Sequence, residues 1–276
     1  MARFSVVIPA HNEETVLARC LAPLADAARD GTAEVVVAAN GCTDRTVEVA
    51  SAFAGVTVLD LPVGNKSRAL NAADAAAAAF PRIYLDADIV LDRAALDALV
   101  AGLPDEPPRV AAPRVRFTLE GRPWAVRAFY AAYERLPYVR DGLTGLGVFG
   151  LSRSGRARFA EFPDVTADDL FVQRLFGPAE RVVLQDATFS VEVPHTLRAL
   201  VAVRTRTAFG SAELANTRAD EFAASTKETV WALLRMTLRT PRLLPAASVY
   251  ILVTVAARLR ARGRQRSTWH RDTTTR

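Results

Sequence analysis

The stretch Glu34-Val35-Val36-Val37-Ala38-Ala39-Asn40-Gly41-Cys42-Thr43-Asp44 decides the fold. Glu34–Ala38 is apolar without a break after its first residue and rich in β-branched side chains. It is too short for a helix, so it reads as a strand covered on both faces. Gly41 stops it. Thr43 or Asp44 then offers an oxygen to cap a helix running to about Phe53.

The same unit repeats on either side. Phe4–Ile8 is a strand ending at Pro9, followed by a helical pattern from about Glu13 to Ala28, with Asn12 as its cap and Glu13 and Glu14 in its first turn. Val56–Leu59 is a third strand and Ser67–Ala79 an alanine-rich helix. Arg82–Leu85 is a fourth strand, after which Asp92 caps a helix to about Val100. Strands alternating with helices predict an α/β fold: a mostly parallel, Rossmann-like sheet with helices on both faces. Ligands of such sheets bind beyond the carboxyl ends of the strands. The loops there are Pro9–Glu13, Ala39–Asp44, Leu61–Lys66 and Asp86–Asp88.

The rest is less regular. Pro104–Pro108 reads as a linker, Val110–Leu119 as a strand, and Pro123–Leu136 as a helix with proline at its first position. The glycine-rich loop Gly142–Gly150 leads into a strand, Val148–Leu151. In that loop Gly145-Leu146-Gly147 suits either a tight turn or close approach of an acceptor. Thr166–Phe176 reads as a short helix, Arg181–Val193 as one or two strands, and everything from Thr196 as helical. The expected division is a catalytic domain over 1–195, with a nucleotide-binding half 1–103 and an acceptor half 104–195. A C-terminal helical appendage with a basic tail follows over 196–276.

Composition narrows the partners. Half of the 276 residues are hydrophobic, which excludes disorder, and the net charge is +5. That balance suits phosphorylated ligands, nucleic acid or an anionic membrane. The charge gathers in Arg258–Arg266, five arginines and no acid, but no nucleic-acid recognition motif accompanies it. Two cysteines make no disulfide scaffold, and the apolar run before Pro9 is too short for a signal peptide. A cytoplasmic location is expected, peripheral to the inner face of the membrane. Leu243–Ala257 is apolar but shorter than the roughly 20 residues that span a bilayer. With Trp231, Arg235 and Arg239 before it and the arginines after it, it suits a helix at a membrane surface, or a core or dimer contact.

Three groups carry chemistry. In Tyr84-Leu85-Asp86-Ala87-Asp88 two carboxylates two residues apart point to one side of an extended chain. They suit a hard divalent cation, Mn²⁺ or Mg²⁺, shared with substrate phosphates, or else simply close a strand. In Thr166-Ala167-Asp168-Asp169 a threonine cap places two acids in a first helical turn. They either compensate the helix dipole or hold a general base for an attacking hydroxyl. In Gly64-Asn65-Lys66-Ser67-Arg68 a loop opens a helix with two cations, an anion-binding arrangement or a solvated face.

Taken in order, these motifs resemble the family 2 glycosyltransferases of the GT-A fold, over Phe4 to about Arg206. Val7-Ile8-Pro9-Ala10-His11-Asn12-Glu13-Glu14 is similar to that family's first nucleotide-binding loop, and Glu34–Asp44 to its second strand and loop. Lys66–Asn71 is similar to its diphosphate loop, Asp86-Ala87-Asp88 to its metal-binding Asp-x-Asp, and Asp168-Asp169 to its acidic pair. The resemblance implies an inverting transfer from a nucleoside-diphosphate sugar to a hydroxyl acceptor. It implies Asp169 as base beside Asp168, and Asp88 and Asp86 as metal ligands with His195 as a further one. The donor would contact Pro9, His11, Asn12, Glu13, Asn40, Lys66, Arg68 and Asp86. Apart from the resemblance, Arg204 and Arg206 on a helical stretch suit the donor diphosphate, a phosphorylated acceptor or a solvated face. Many members carry a uracil-contacting Asp where this chain has Ala39, so the base stays open. Acceptor and oligomeric state stay open too. The rivals are a sugar-phosphate nucleotidyltransferase and a silent nucleotide-sugar-binding protein. The first would want a basic glycine-rich loop after the first strand, where this chain has Pro9–Glu13.

Overall fold

A computed structural model describes residues 2–140, 147–214 and 226–263. Gly145 and Leu146 of the glycine-rich loop, and Arg264, Arg266 and His270 of the tail, lie outside the described residues.

A seven-stranded sheet has the order β3-β2-β1-β4-β6-β5-β7. Its strands are β1 (Phe4–Ala10), β2 (Ala33–Asn40), β3 (Val56–Leu61), β4 (Arg82–Leu85), β5 (Val110–Thr118), β6 (Val148–Leu151) and β7 (Arg181–Glu192). The first four run parallel, with Val6 beside both Val35 and Ile83. Every residue of β1 and β4 is buried. Since successive side chains point to opposite faces, both faces are covered there. β3 lies at one edge of the sheet and is only half-buried. β6 enters antiparallel between β4 and β5, pairing Tyr84 with Phe149 and Ala111 with Gly150.

The described helices begin with α1 (Leu17–Leu21) and α2 (Ala25–Arg29), joined by the 3₁₀ turn Ala22–Leu24. The single helix expected from Glu13 is thus shorter and interrupted at Pro23, which lacks an N–H for the helical ladder. Asn12 does not cap it; its φ is +54° and its carbonyl serves a neighbouring loop. α3 (Thr46–Ser51) starts after Asp44, whose carboxylate accepts from Thr46 N at 3.0 Å. α4 (Lys66–Ala76) is capped by Asn65, which accepts from Arg68 N, and α5 (Arg93–Ala101) by Asp92, which accepts from Ala95 N. Next come α6 (Trp124–Tyr133), α7 (Pro137–Arg140), α8 (Arg153–Arg156) and α9 (Asp168–Arg174). Thr166 does not cap α9 with its side chain; its N–H donates to Glu213 instead. The last helices are α10 (Leu197–Leu214), α11 (Thr226–Arg239) and α12 (Leu244–Arg262).

The chain divides into two compact units. The first holds 1–116, 145–164 and 178–190; the second holds 117–144, 165–177 and 191–276. In the first unit, Asp74 near the end of α4 forms a buried ion-pair network. One carboxylate oxygen takes Arg82 at 2.8 Å and the Tyr84 hydroxyl at 2.5 Å; the other takes Arg156 at 2.6 Å. Burial pushes the Asp74 carboxyl up, but the bonds from Arg156, Tyr84 and Arg82 outweigh it and hold the pKa below the ordinary value.

The second unit is built from rings. Phe129 stacks on Tyr133 and on Tyr250, with centroids 5.5 and 5.3 Å apart, amid Leu136, Val139, Leu200 and Val253. The Tyr138 and Tyr250 hydroxyls bond each other at 2.9 Å. Arg204 lies over Tyr133 at 5.0 Å from the ring centroid. Sequence reading offered Arg204 to a phosphate; in the structure it packs against aromatic rings.

Candidate active site

The first unit gathers its loops at the carboxyl ends of the strands. After β1, Asn12 Oδ1 accepts from Thr43 N at 2.7 Å, Glu13 N donates to Thr46 Oγ1 at 2.6 Å, and Glu14 N donates to Asp44 at 3.1 Å. These bonds staple the first loop to the second. Hydrogen bonding holds the Asp44 carboxyl low despite partial burial, which raises it. The His11 ring is 2.5 Å from the Asn40 carbonyl, so Nδ1 is assigned as the donor there. Asn40 is buried; its amide nitrogen donates to Ala10 O at 2.7 Å, and its Oδ1 has no hydrogen-bond partner. Pro9 and Ala39 are buried in the sheet.

The third loop closes against the other two through glycine. Gly41 has φ +57°, a conformation other residues rarely adopt, and a side chain there would meet Gly64 N at 2.5 Å. A side chain at Gly64 would in turn meet the His11 ring at 3.2 Å. The loops after β1, β2 and β3 therefore converge on one small region.

Beside them stands the carboxylate pair. The chain does not stay extended after β4: Ile89 N returns to Asp86 O at 3.0 Å, closing a turn, so the expected same-side extended geometry is replaced. The reason is that Asp86 N still meets Gly147 O across from β6, but from Ala87 onward the β4–β6 pairing gives way to the turn. Asp86 is held from two directions. Lys66 Nζ lies 2.9 Å from its carboxylate, and Asp86 N donates to Gly147 O at 2.7 Å. Gly147 has φ +85°, and a side chain there would reach within 2.9 Å of Asp86 Oδ2.

Beneath the pair lies Cys20, whose Sγ is 3.8 Å from Asp86 O. Burial raises the Cys20 thiol far above its ordinary pKa, and the charges of Asp88, Asp86 and Glu13 raise it further. One buried sulfur thus feels three carboxylates, from the first and fourth loops. Among the described residues no three His, Cys, Asp or Glu side chains form a ready-made metal cluster. Two carboxylates are nonetheless a fitting donor set for a cation that takes its remaining ligands from phosphates and water.

Of the residues expected in the site, Pro9, His11, Asn12, Glu13, Asn40, Lys66, Arg68, Asp86 and Asp88 belong to the first unit. Asp168, Asp169, His195 and Arg206 belong to the second. There, Asp168 is buried and Asp169 half-buried at the start of α9, and Asp169 accepts from Leu170 N at 2.6 Å. His195 and Arg206 are exposed. Sequence reading missed Thr46 and Cys20 as supports, neither of which carries a local signal. Gly147, expected in a tight turn or near an acceptor, has the positive φ of a turn and lies against Asp86.

The family description "Glycosyl transferase family 2" matches residues 5–159, more than half of the chain. The chain belongs to that family. It is therefore a glycosyltransferase, with a fold of the GT-A type. Among solved structures, this transferase is similar to a mannosyltransferase from Pyrobaculum calidifontis in complex with GDP-Man and Mn²⁺. That match has a TM-score of 0.59 at 22% identity and covers 95% of this chain and 79% of that one. It is also similar to glucosyl-3-phosphoglycerate synthase from Mycobacterium tuberculosis, in complex with Mn²⁺, UDP-glucose and phosphoglyceric acid. There the TM-score is 0.53 at 20% identity, covering 75% of this chain and 78% of that one. Identities at this level speak for the fold alone. No curated protein matches the transferase by sequence.

Proposed function

We propose that this glycosyltransferase moves a sugar from a nucleoside-diphosphate sugar to a hydroxyl acceptor by a single displacement with inversion. The observation that supports the donor site is the convergence of three stapled loops beside a lysine-held carboxylate. The solved structures with GDP-Man or UDP-glucose and Mn²⁺ bound add support by likeness of fold. Pro9 and Asn40 near the ends of β1 and β2, with His11, Asn12 and Glu13 in the first loop, shape the nucleoside end. Lys66 and Arg68, opening α4, meet the diphosphate, where a helix N-terminus already favours negative charge; Arg206 is assigned to the same diphosphate.

Asp88 and Asp86 would hold Mn²⁺ or Mg²⁺, with His195 as a further ligand by resemblance. When bound, that cation supplies neutralisation of the departing diphosphate. Asp169, supported by Asp168, takes the acceptor's proton as its oxygen bonds to the anomeric carbon and the carbon–phosphate-oxygen bond breaks. The catalytic domain is assigned to 1–195. A site of action at the inner membrane surface, with a lipid-linked acceptor, fits the apolar C-terminal helix.

Calorimetric titration of UDP, GDP, ADP, CMP and dTDP, with and without Mn²⁺, tests the donor site on wild type and Asp88→Ala. One diphosphate should bind with metal dependence, and the mutant should lose that dependence. A folded protein that binds none of them would overturn the proposal.

A further inference from the structure

Among the described residues, thirteen large apolar side chains are exposed, and nine of them lie on α11 and α12. On α11, Val230, Leu234 and Leu238 recur every four residues with Trp231 beside them. Trp231 is 69% exposed and Leu238 72%. On α12, Leu244, Ile251, Leu252, Val255 and Leu259 form one outward stripe, with Leu252 at 69%. Helices of a water-soluble surface normally turn polar residues outward. Here the outward stripes are apolar and contiguous along both helices.

The charges around these stripes have one sign. Residues 226–263 carry Lys227, Arg235, Arg239, Arg242, Arg258, Arg260 and Arg262 against a single acid, Glu228. The six arginines are all exposed. An apolar stripe bordered by cations, with a tryptophan at its margin, is complementary to an anionic lipid surface. A second copy of the chain would bring the same positive charge to the contact.

The helical stretch Pro241–Arg262 is long and apolar enough to cross a bilayer, longer than the apolar run alone indicated. Its inner stripe argues against crossing. Ala246, Ala247, Tyr250, Val253 and Ala257 are buried, Tyr250 stacks on Phe129 of α6, and its hydroxyl bonds Tyr138 of α7. That side is already occupied by protein, with a polar pair on it, while the outward side is apolar. We infer that α11 and α12 lie in the interface of an anionic membrane, apolar stripes inward to the lipid, and do not span it. This deepens the membrane placement proposed above and is independent of glycosyl transfer.

The test is co-sedimentation of the full chain with phosphatidylcholine vesicles, with and without phosphatidylglycerol. Binding should require the anionic lipid, and high salt should release the protein. Trp231→Ser/Leu238→Ser/Leu252→Ser should lower the partition coefficient at least about tenfold, since each loses buried apolar area, with an unchanged melting temperature. Arg235→Gln/Arg239→Gln/Arg242→Gln should weaken it and flatten its salt dependence. Three results would overturn the inference: no partition onto anionic vesicles, partition unchanged in the folded apolar triple variant, or protein that salt and alkaline carbonate cannot extract. So would a soluble dimer, broken by the apolar variant, that ignores vesicles.

Discussion

The two units solve the problem of holding functional side chains by different means. In the first, short loops are fixed one to another by side-chain-to-backbone bonds, such as Asn12 to Thr43 and Thr46 to Glu13, and by glycine contacts at Gly41 and Gly64. In the second, stacked rings of Phe129, Tyr133 and Tyr250 fill the space between helices, and polar groups such as Arg204 rest on their faces. The first arrangement is directional and intolerant of small displacement, which suits the recognition of a rigid nucleotide. The second is an apolar packing in which ring shape and close contact, rather than hydrogen bonds, set the positions of the side chains.

The comparison is most exposed at the carboxylates. Asp88→Ala should lower kcat/KM by about 10³–10⁴, because several kcal/mol of charge stabilisation would be lost; steady-state kinetics with the donor found by calorimetry would show it. A change below tenfold would detach Asp88 from the chemistry. Asp169→Asn, in the second unit, should reduce kcat at least about a hundredfold while diphosphate affinity measured by calorimetry stays at its wild-type value. Equal losses of affinity and turnover would mean that Asp169 serves binding rather than proton removal.

Stability sharpens the contrast. Asp74→Asn should destabilise the protein by about 3–5 kcal/mol at neutral pH in urea melts, since the buried Arg82 and the half-buried Arg156 lose their carboxylate partner. The folded-state pKa of Asp74 is lowered, so its contribution is full above the ordinary carboxylate value. The gap between wild type and variant should then shrink as pH falls through the lowered folded value. A gap independent of pH would refute the ion-pair account. The smallest effect is expected at Gly41→Ala: about 1–3 kcal/mol in thermal melts, from φ +57° and the clash with Gly64, with a raised donor KM. An unchanged KM would separate that loop from the nucleotide.

Legibility also differed between the units. The four parallel strands could be read because each is an unbroken apolar run followed by a turn and a cap, all signals local to a few residues. Asp92 capping α5 is an example, and Asp86-Ala87-Asp88 follows directly on β4. The helix after Asn12 misread because Pro23 and the tie from Asn12 to Thr43 override a plausible periodic pattern. The second unit's helices were visible as helices. Which of their faces is covered was not, because α12 is apolar on both sides and only packing against Phe129 tells inner from outer.

Sequence by itself determined the alternation of elements, the positions of the acidic pairs and the family, since those depend on neighbours along the chain. Tertiary structure alone decided the rest. It placed β6 antiparallel against β4, set Lys66 on Asp86, brought Gly41 against Gly64, and buried Cys20 against the Asp86 carbonyl. Each of these joins residues far apart in the chain, and no local preference of either partner encodes where the other will be.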